Sequence, residues 1–168
     1  VTINDEPVRI TISEIQSQID RIGTVITSEY TYSGSATSNA SKRSFWGLGP
    51  EHHNSMTVYY EGTIYAGYNI DSITIELDKT DDIIWVTLPQ TAQIIDNSIA
   101  YVDSEYYDDR VCPLDPDTST SLLNSSKTNE LAQAVNAGIL DTAEEHAQEI
   151  ITETLSVFEG YEVRFVDN

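Results

Sequence analysis

The chain has 168 residues, 39% of them hydrophobic and 21% charged, a composition that suits one globular domain with a single core and excludes a disordered chain. Its 28 Asp and Glu outnumber 8 Lys and Arg, for a formal net charge of −20. Such a field repels phosphate backbones, which argues against nucleic acid as a partner, and it attracts cations.

Residues 1–12, VTINDEPVRITI, are extended in pattern. The chain starts at Val1 without Met and holds no apolar run of the roughly 18–20 residues a membrane span needs, so a signal peptide or anchor is expected upstream. A composition poor in Lys and rich in Thr, Ser, Tyr, Asn and Asp fits an exported bacterial domain. In SEIQSQIDRIG, Ser13 is the expected N-cap, Ile15, Ile19 and Ile22 have helical spacing, and Gly23 can end the helix. TVITSEYTYSG alternates as a strand to residue 33, and the small polar residues 33–44 read as a loop. FWGLGPEHHNS, 45–55, is an aromatic and Gly/Pro corner.

Strands are expected over 56–70, 71–78 and 83–89, the last two joined by a KTDD turn, with shorter extended pieces from residue 91 to 107. Residues 111–121 are a Pro/Asp/Ser-rich connection. Leu131, Val135, Ile139, Ala143, Ala147, Ile150, Leu155 and Phe158 then mark a long amphipathic helix that Gly138 bends or divides. Gly160 can cap it, and YEVRFV, 161–166, is a final strand.

The tyrosine-rich strand YYEGTIYAGYNI, 59–70, carries two gaps. Alternation puts Val58, Tyr60, Gly62, Ile64, Ala66, Tyr68 and Ile70 on one face, and Tyr59, Glu61, Thr63, Tyr65 and Gly67 on the other. Glycine inside a strand marks a bulge or the close approach of another chain segment. A helix presenting Ala143 and Ala147 to Gly62 and Ala66 would fill the gaps. Tyr59 and Tyr65, with Trp46 of the corner, are the candidate ligand-binding aromatic residues.

In order, TSEYTYSG, YEGTIYAGYNIDSITIEL, IWVTLPQTAQI, NAGILDTAEEHAQEIITETL and GYEVRF resemble the bacterial family called domain of unknown function 4230, over residues 15–166. The family pattern often has an acid after the second glycine, Gly-x-Asp, where this chain has Asn69 and places Asp71 two residues on. The resemblance implies an N-terminal hydrophobic segment ahead of the domain, hence an extracytoplasmic part of an anchored or exported protein. It implies no activity and no catalytic residues.

Motifs for chemistry are sparse. Cys112 is the sole cysteine, so neither an intrachain disulfide nor a cysteine-rich zinc site can form, and its carboxylate neighbours disfavour a reactive thiolate. Glu51, His52 and His53 are the densest metal-ligand-like group, but on a strand the two histidines would point apart. Asp103, Glu105, Asp108, Asp109, Asp115 and Asp117 offer hard oxygen ligands for Ca²⁺ in one segment, without the glycine and glutamate of an EF-hand. No G-x-S-x-G, HExxH, Walker loop or G-x-G-x-x-G is present.

The sequence therefore predicts a single α+β domain over 1–168, with one mainly antiparallel sheet of five or six strands and a long C-terminal helix on one face. The functional expectation is a non-catalytic extracytoplasmic module that binds a protein, a cell-envelope component or a small molecule. The alternatives are a calcium-stabilised structural domain and a hydrolase using His52 or His53 with a carboxylate.

Overall fold

The computed structural model describes residues 9–23 and 25–166, so the extended segment expected at the start lies, up to residue 8, outside the described residues. In chain order the elements are α1 (Ile12–Asp20), β1 (Val25–Arg43), β2 (Glu51–Tyr68), a 3-10 turn (Ile70–Ser72), β3 (Thr74–Asp78), β4 (Ile83–Thr87), β5 (Gln93–Tyr107), α2 (Thr118–Asn136), α3 (Ile139–Leu155) and β6 (Glu162–Phe165). The α+β class is as expected, but the single sheet is not. Six strands form two three-stranded sheets, β1-β2-β5 and β3-β4-β6. The break comes at Asn69, whose side chain accepts the Asp71 N–H at 3.1 Å and opens the 3-10 turn between β2 and β3. The single long helix is also two, divided where Gly138 takes φ +89°.

The chain divides into two compact units. One takes the described residues up to Ser28, then Ala66–Ile95 and the chain from Leu140 on. There, β3 and β4 pair antiparallel from Thr74↔Thr87 to Asp78↔Ile83. β4 and β6 pair parallel from Ile83↔Glu162 to Val86↔Phe165. Asp78 closes the β3–β4 turn by accepting the Thr80 and Asp81 N–H groups, and Asp82 takes φ +53°. The expected helix at 13–23 is α1, which lies against β3. Its cap is Thr11 rather than Ser13: Thr11 accepts from the Glu14 N–H, and the Glu14 carboxylate accepts from the Thr11 N–H at 2.8 Å, a reciprocal capping box. Ile15 and Ile19 of α1, Ile84 and Val86 of β4, and Ala143, Ala147, Ile151 and Leu155 of α3 are all buried. The α3 residues recur every four positions, the single stripe a helix presents to a core.

The other unit holds residues 29–65 and 96–139, hence most of β1, β2 and β5, together with α2. The small polar segment 33–44 is no loop. It continues β1 to Arg43, with Ser33, Ser35, Thr37 and Asn39 exposed and alternate positions more covered. The corner is accordingly shorter, because β2 begins at Glu51 and takes His52 and His53 with it. Contacts Thr37–Thr57, Gly34–Tyr60 and Tyr32–Gly62 run in opposite order along β1 and β2, an antiparallel hairpin. The extended pieces expected at 91–107 are one strand, β5. α2 buries Ser126, Glu130 and Ala134, while Val135, expected on its apolar stripe, is exposed. No described helix is long and apolar enough to cross a membrane.

Candidate functional site

The gap at Gly62 is filled by a tyrosine, not by a helix. A Cβ at Gly62 would collide with the ring and hydroxyl of Tyr32 and with the Ser98 carbonyl. Since β2 lies between β1 and β5, the Tyr32 side chain crosses the central strand at Gly62. Its hydroxyl donates to the Ser98 carbonyl of β5 at 2.9 Å. The reciprocal lock is Tyr60, whose hydroxyl would lie 2.7 Å from a Cβ on Gly34. The two rings meet edge to face with centroids 6.2 Å apart.

Tyr60 then donates to the Glu130 carboxylate of α2 at 3.0 Å, both groups being buried. Burial, then the Glu130 charge and Tyr60, push the Tyr32 phenol above its usual range. Burial also raises Tyr60, opposed by its contact with Ser126 and reinforced by Glu130. Sequence reading missed Glu130 and Ser126 because it searched α2 for an apolar stripe. A buried carboxylate is tolerated there because it has a hydroxyl partner.

β5 is an edge strand, as is β1, and none of the residues of β5 is buried. Tyr101, Val102, Tyr106 and Tyr107 are each about half exposed or more. The sheet also carries an open groove of about 490 Å³, lined by Tyr32, Glu61, Gly62, Thr63, Ser98 and Ile99 among others. Tyr59 is partly exposed and Tyr65 half-buried. Six residues apart on one strand, they are roughly 20 Å from each other. Trp46 is fully exposed in the β1–β2 turn, and Tyr59 lies eight residues into β2, roughly 26 Å along the strand. The three aromatic candidates therefore do not converge on one ligand.

On β2 the adjacent histidines do point apart. His53 stacks on Tyr107 with centroids 4.8 Å apart, and His52 Nδ1 lies 3.1 Å from an Asp109 carboxylate oxygen. Asp109 also accepts the Val111 N–H at 2.7 Å. That bond first, then the one from His52, holds its carboxyl below the usual range. Two residues along β2, buried Asn54 donates to the Cys112 and Pro113 carbonyls at 3.1 and 2.9 Å. His52 and Asn54 thus fasten the segment 109–113, with its buried Cys112, to the sheet.

Three of the other acids of the calcium candidate serve the backbone in the same way. Asp103 accepts from Ser104, Asp108 from Leu114 and Asp115 from Asp117, at 2.8, 2.8 and 2.9 Å. Asp117 precedes α2, and Glu105 is exposed on β5. Among the described residues no group of three or more His, Cys, Asp or Glu side chains is placed to hold a metal ion.

The family described as "Protein of unknown function (DUF4230)" matches residues 17–165, and the chain belongs to it. No curated protein and no solved structure matches the chain.

Proposed function

We propose that this member of the DUF4230 family is a non-catalytic, extracytoplasmic binding module of an anchored or exported bacterial protein, and that it takes an extended peptide on the edge of β5. The observation that carries the proposal is the edge itself: a 15-residue strand that ends its sheet, has no buried residue and exposes Tyr101, Val102, Tyr106 and Tyr107. Unpaired main-chain groups along such an edge are a template for strand addition, and pockets for alternate side chains add selectivity. The charge pattern favours a neutral or basic strand over a second copy of this chain. A two-fold antiparallel pairing centred between Ala100 and Tyr101 would set Asp96 against Glu105, like charges directly opposed.

The test is an NMR titration with a synthetic Val/Thr-alternating peptide carrying Lys at both ends. Amide shifts confined to 93–107 and their neighbours on β2 are expected, together with weakening by Val102→Asp. No shifts at millimolar peptide, or shifts that map elsewhere, would remove the edge as the binding element.

The hydrolase reading has one observation in its favour, the His52–Asp109 pair. That carboxylate is also engaged by the Val111 and Cys112 N–H groups, as expected of a loop anchor. The open groove on the sheet is lined by other residues.

A further inference from the structure

The β1–β2 turn exposes three large apolar side chains within four residues: Phe45 at 77%, Trp46 at 102% and Leu48 at 90% of their full accessibility. The turn that carries them is well formed. The Leu48 N–H bonds the Phe45 carbonyl at 3.0 Å, and the Gly49 N–H bonds the Ser44 carbonyl at 2.9 Å. A Cβ on Gly49 would sit 2.9 Å from the Phe45 ring, so glycine lets that ring lie close across the turn. Phe45 and Trp46 take φ +53° and +57°, a left-handed backbone that bulky residues rarely adopt and that Gly or Asn would supply more easily. Two aromatic residues therefore occupy positions whose local geometry disfavours them, with their side chains in water.

The hairpin also projects. β5 stops at Tyr107, which stacks on His53, so Arg43 to Glu51 extend beyond the third strand. Residues 30–50 contain no Asp or Glu, although the chain carries 28, and the two charges they do contain are the exposed cations Lys42 and Arg43 at the base of the turn.

We infer that this tip is a membrane-interface anchor: Phe45, Trp46 and Leu48 enter the headgroup–acyl boundary of a bilayer while Lys42 and Arg43 meet lipid phosphates. Charge complementarity selects this occupant. The turn itself, residues 44–50, carries no acid, and the two cations at its base outnumber the one carboxylate there, Glu51. This is the part of an acidic protein that can approach a phosphate layer, and aromatic rings beside cations are the side chains that populate such layers. Size supports the choice. Three side chains on a convex tip bury far less than the roughly 1,200 Å² of a specific protein interface, whereas a bilayer needs no complementary pocket.

The experiment is flotation of the chain with phosphatidylcholine vesicles, with and without phosphatidylglycerol, alongside Trp46 emission. The wild type is expected to float with vesicles and its emission to shift to the blue. The variant Phe45→Ser/Trp46→Ser/Leu48→Ser should keep its melting temperature, because the three side chains are exposed, and lose at least about 100-fold in partitioning. Lys42→Gln/Arg43→Gln should weaken binding more on the phosphatidylglycerol vesicles. A wild type that floats with neither vesicle overturns the inference, as does a serine variant that floats equally well. Lipid-free self-association that the serine variant abolishes, with no vesicle binding, would assign the tip to a second copy and overturn it too.

Discussion

Gly62→Ala tests the lock on which the long sheet depends. The new methyl group meets the Tyr32 ring, the Tyr32 hydroxyl and the Ser98 carbonyl inside van der Waals contact. Tyr32 is 8% exposed and cannot yield without loss. If its side chain swings away, the hydrogen bond to Ser98 goes, at about 1 kcal/mol. The edge-to-face contact with Tyr60 costs about another 1 kcal/mol, and residual crowding against a backbone carbonyl adds about 1–2 kcal/mol. Alanine recovers about 0.5–1 kcal/mol by restricting the unfolded chain. The net is a destabilisation of about 2–3.5 kcal/mol, or roughly 4–14 °C in melting temperature for a chain of this size. Urea unfolding followed by circular dichroism measures it, and Tyr32→Ala completes a double-mutant cycle. Because the lost contacts belong to Tyr32, Gly62→Ala should cost at least about 1 kcal/mol less in the Tyr32→Ala background, a coupling well beyond the roughly 0.5 kcal/mol of independent sites. Additive effects, or a Gly62→Ala protein as stable as wild type, would refute the crossing-tyrosine account.

Among the described residues the buried Tyr68 hydroxyl has no hydrogen-bond partner, so Tyr68→Phe should match wild-type stability or exceed it by about 1 kcal/mol; a loss of that size by urea unfolding would mean the hydroxyl is satisfied. Tyr32, Tyr60 and Tyr68 all hold their protons more tightly folded than unfolded, chiefly through burial. Their stabilisation is therefore complete below about pH 10 and lost as pH rises through the folded values; alkaline urea midpoints should fall, and less steeply in Tyr60→Phe. Asp109 has the opposite sign. Its depressed pKa contributes stability above the unfolded value near 3.8, lost as pH falls through the folded one. Asp109→Asn should flatten the acid limb of a melting-temperature titration, and His52→Ala should flatten it less, since the Val111 N–H is the larger cause. Thr11→Ala removes the α1 capping box and should cost about 1 kcal/mol by thermal melting, with no effect being the refuting result.

What could be read ahead of the structure followed from backbone chemistry within a few residues. Alternation located the central strands, the Asp-rich KTDD turn marked the β3–β4 hairpin, and Gly138 marked the helix division because a left-handed residue was needed there. The failures have a common cause. Segment 33–44 read as a loop because its residues are small and polar, yet Gly34 is small because Tyr60 reaches it from the next strand. Glu130 was passed over because its burial depends on a hydroxyl 70 residues away. Nothing local to Gly62 names Tyr32 as the group that needs the space. The aromatic candidates Tyr59, Tyr65 and Trp46 share a residue type but not a place, and strand length alone separates them.

Lengths also explain where the exposed surfaces fall. From Glu51 to Tyr65, β2 runs roughly 46 Å, whereas the 19 residues of α2 span only about 28 Å. One helix cannot cover such a strand, so part of the sheet must stand without it. Burial follows the faces of β2: Asn54, Val58, Tyr60 and Ile64 are covered on one, Glu51, His53, Tyr59 and Glu61 are exposed on the other, and no residue of β5 is buried. An uncovered sheet end would ordinarily be filled with charge and kept short. Here it is extended by a tight turn bearing Phe45, Trp46 and Leu48 and flanked by an edge bearing Tyr101, Tyr106 and Tyr107. The crossing tyrosines tie all three strands together from within, Tyr32 joining β1 to β5 over the glycine of β2. A sheet braced through its own strands in this way does not need a second layer along its whole length.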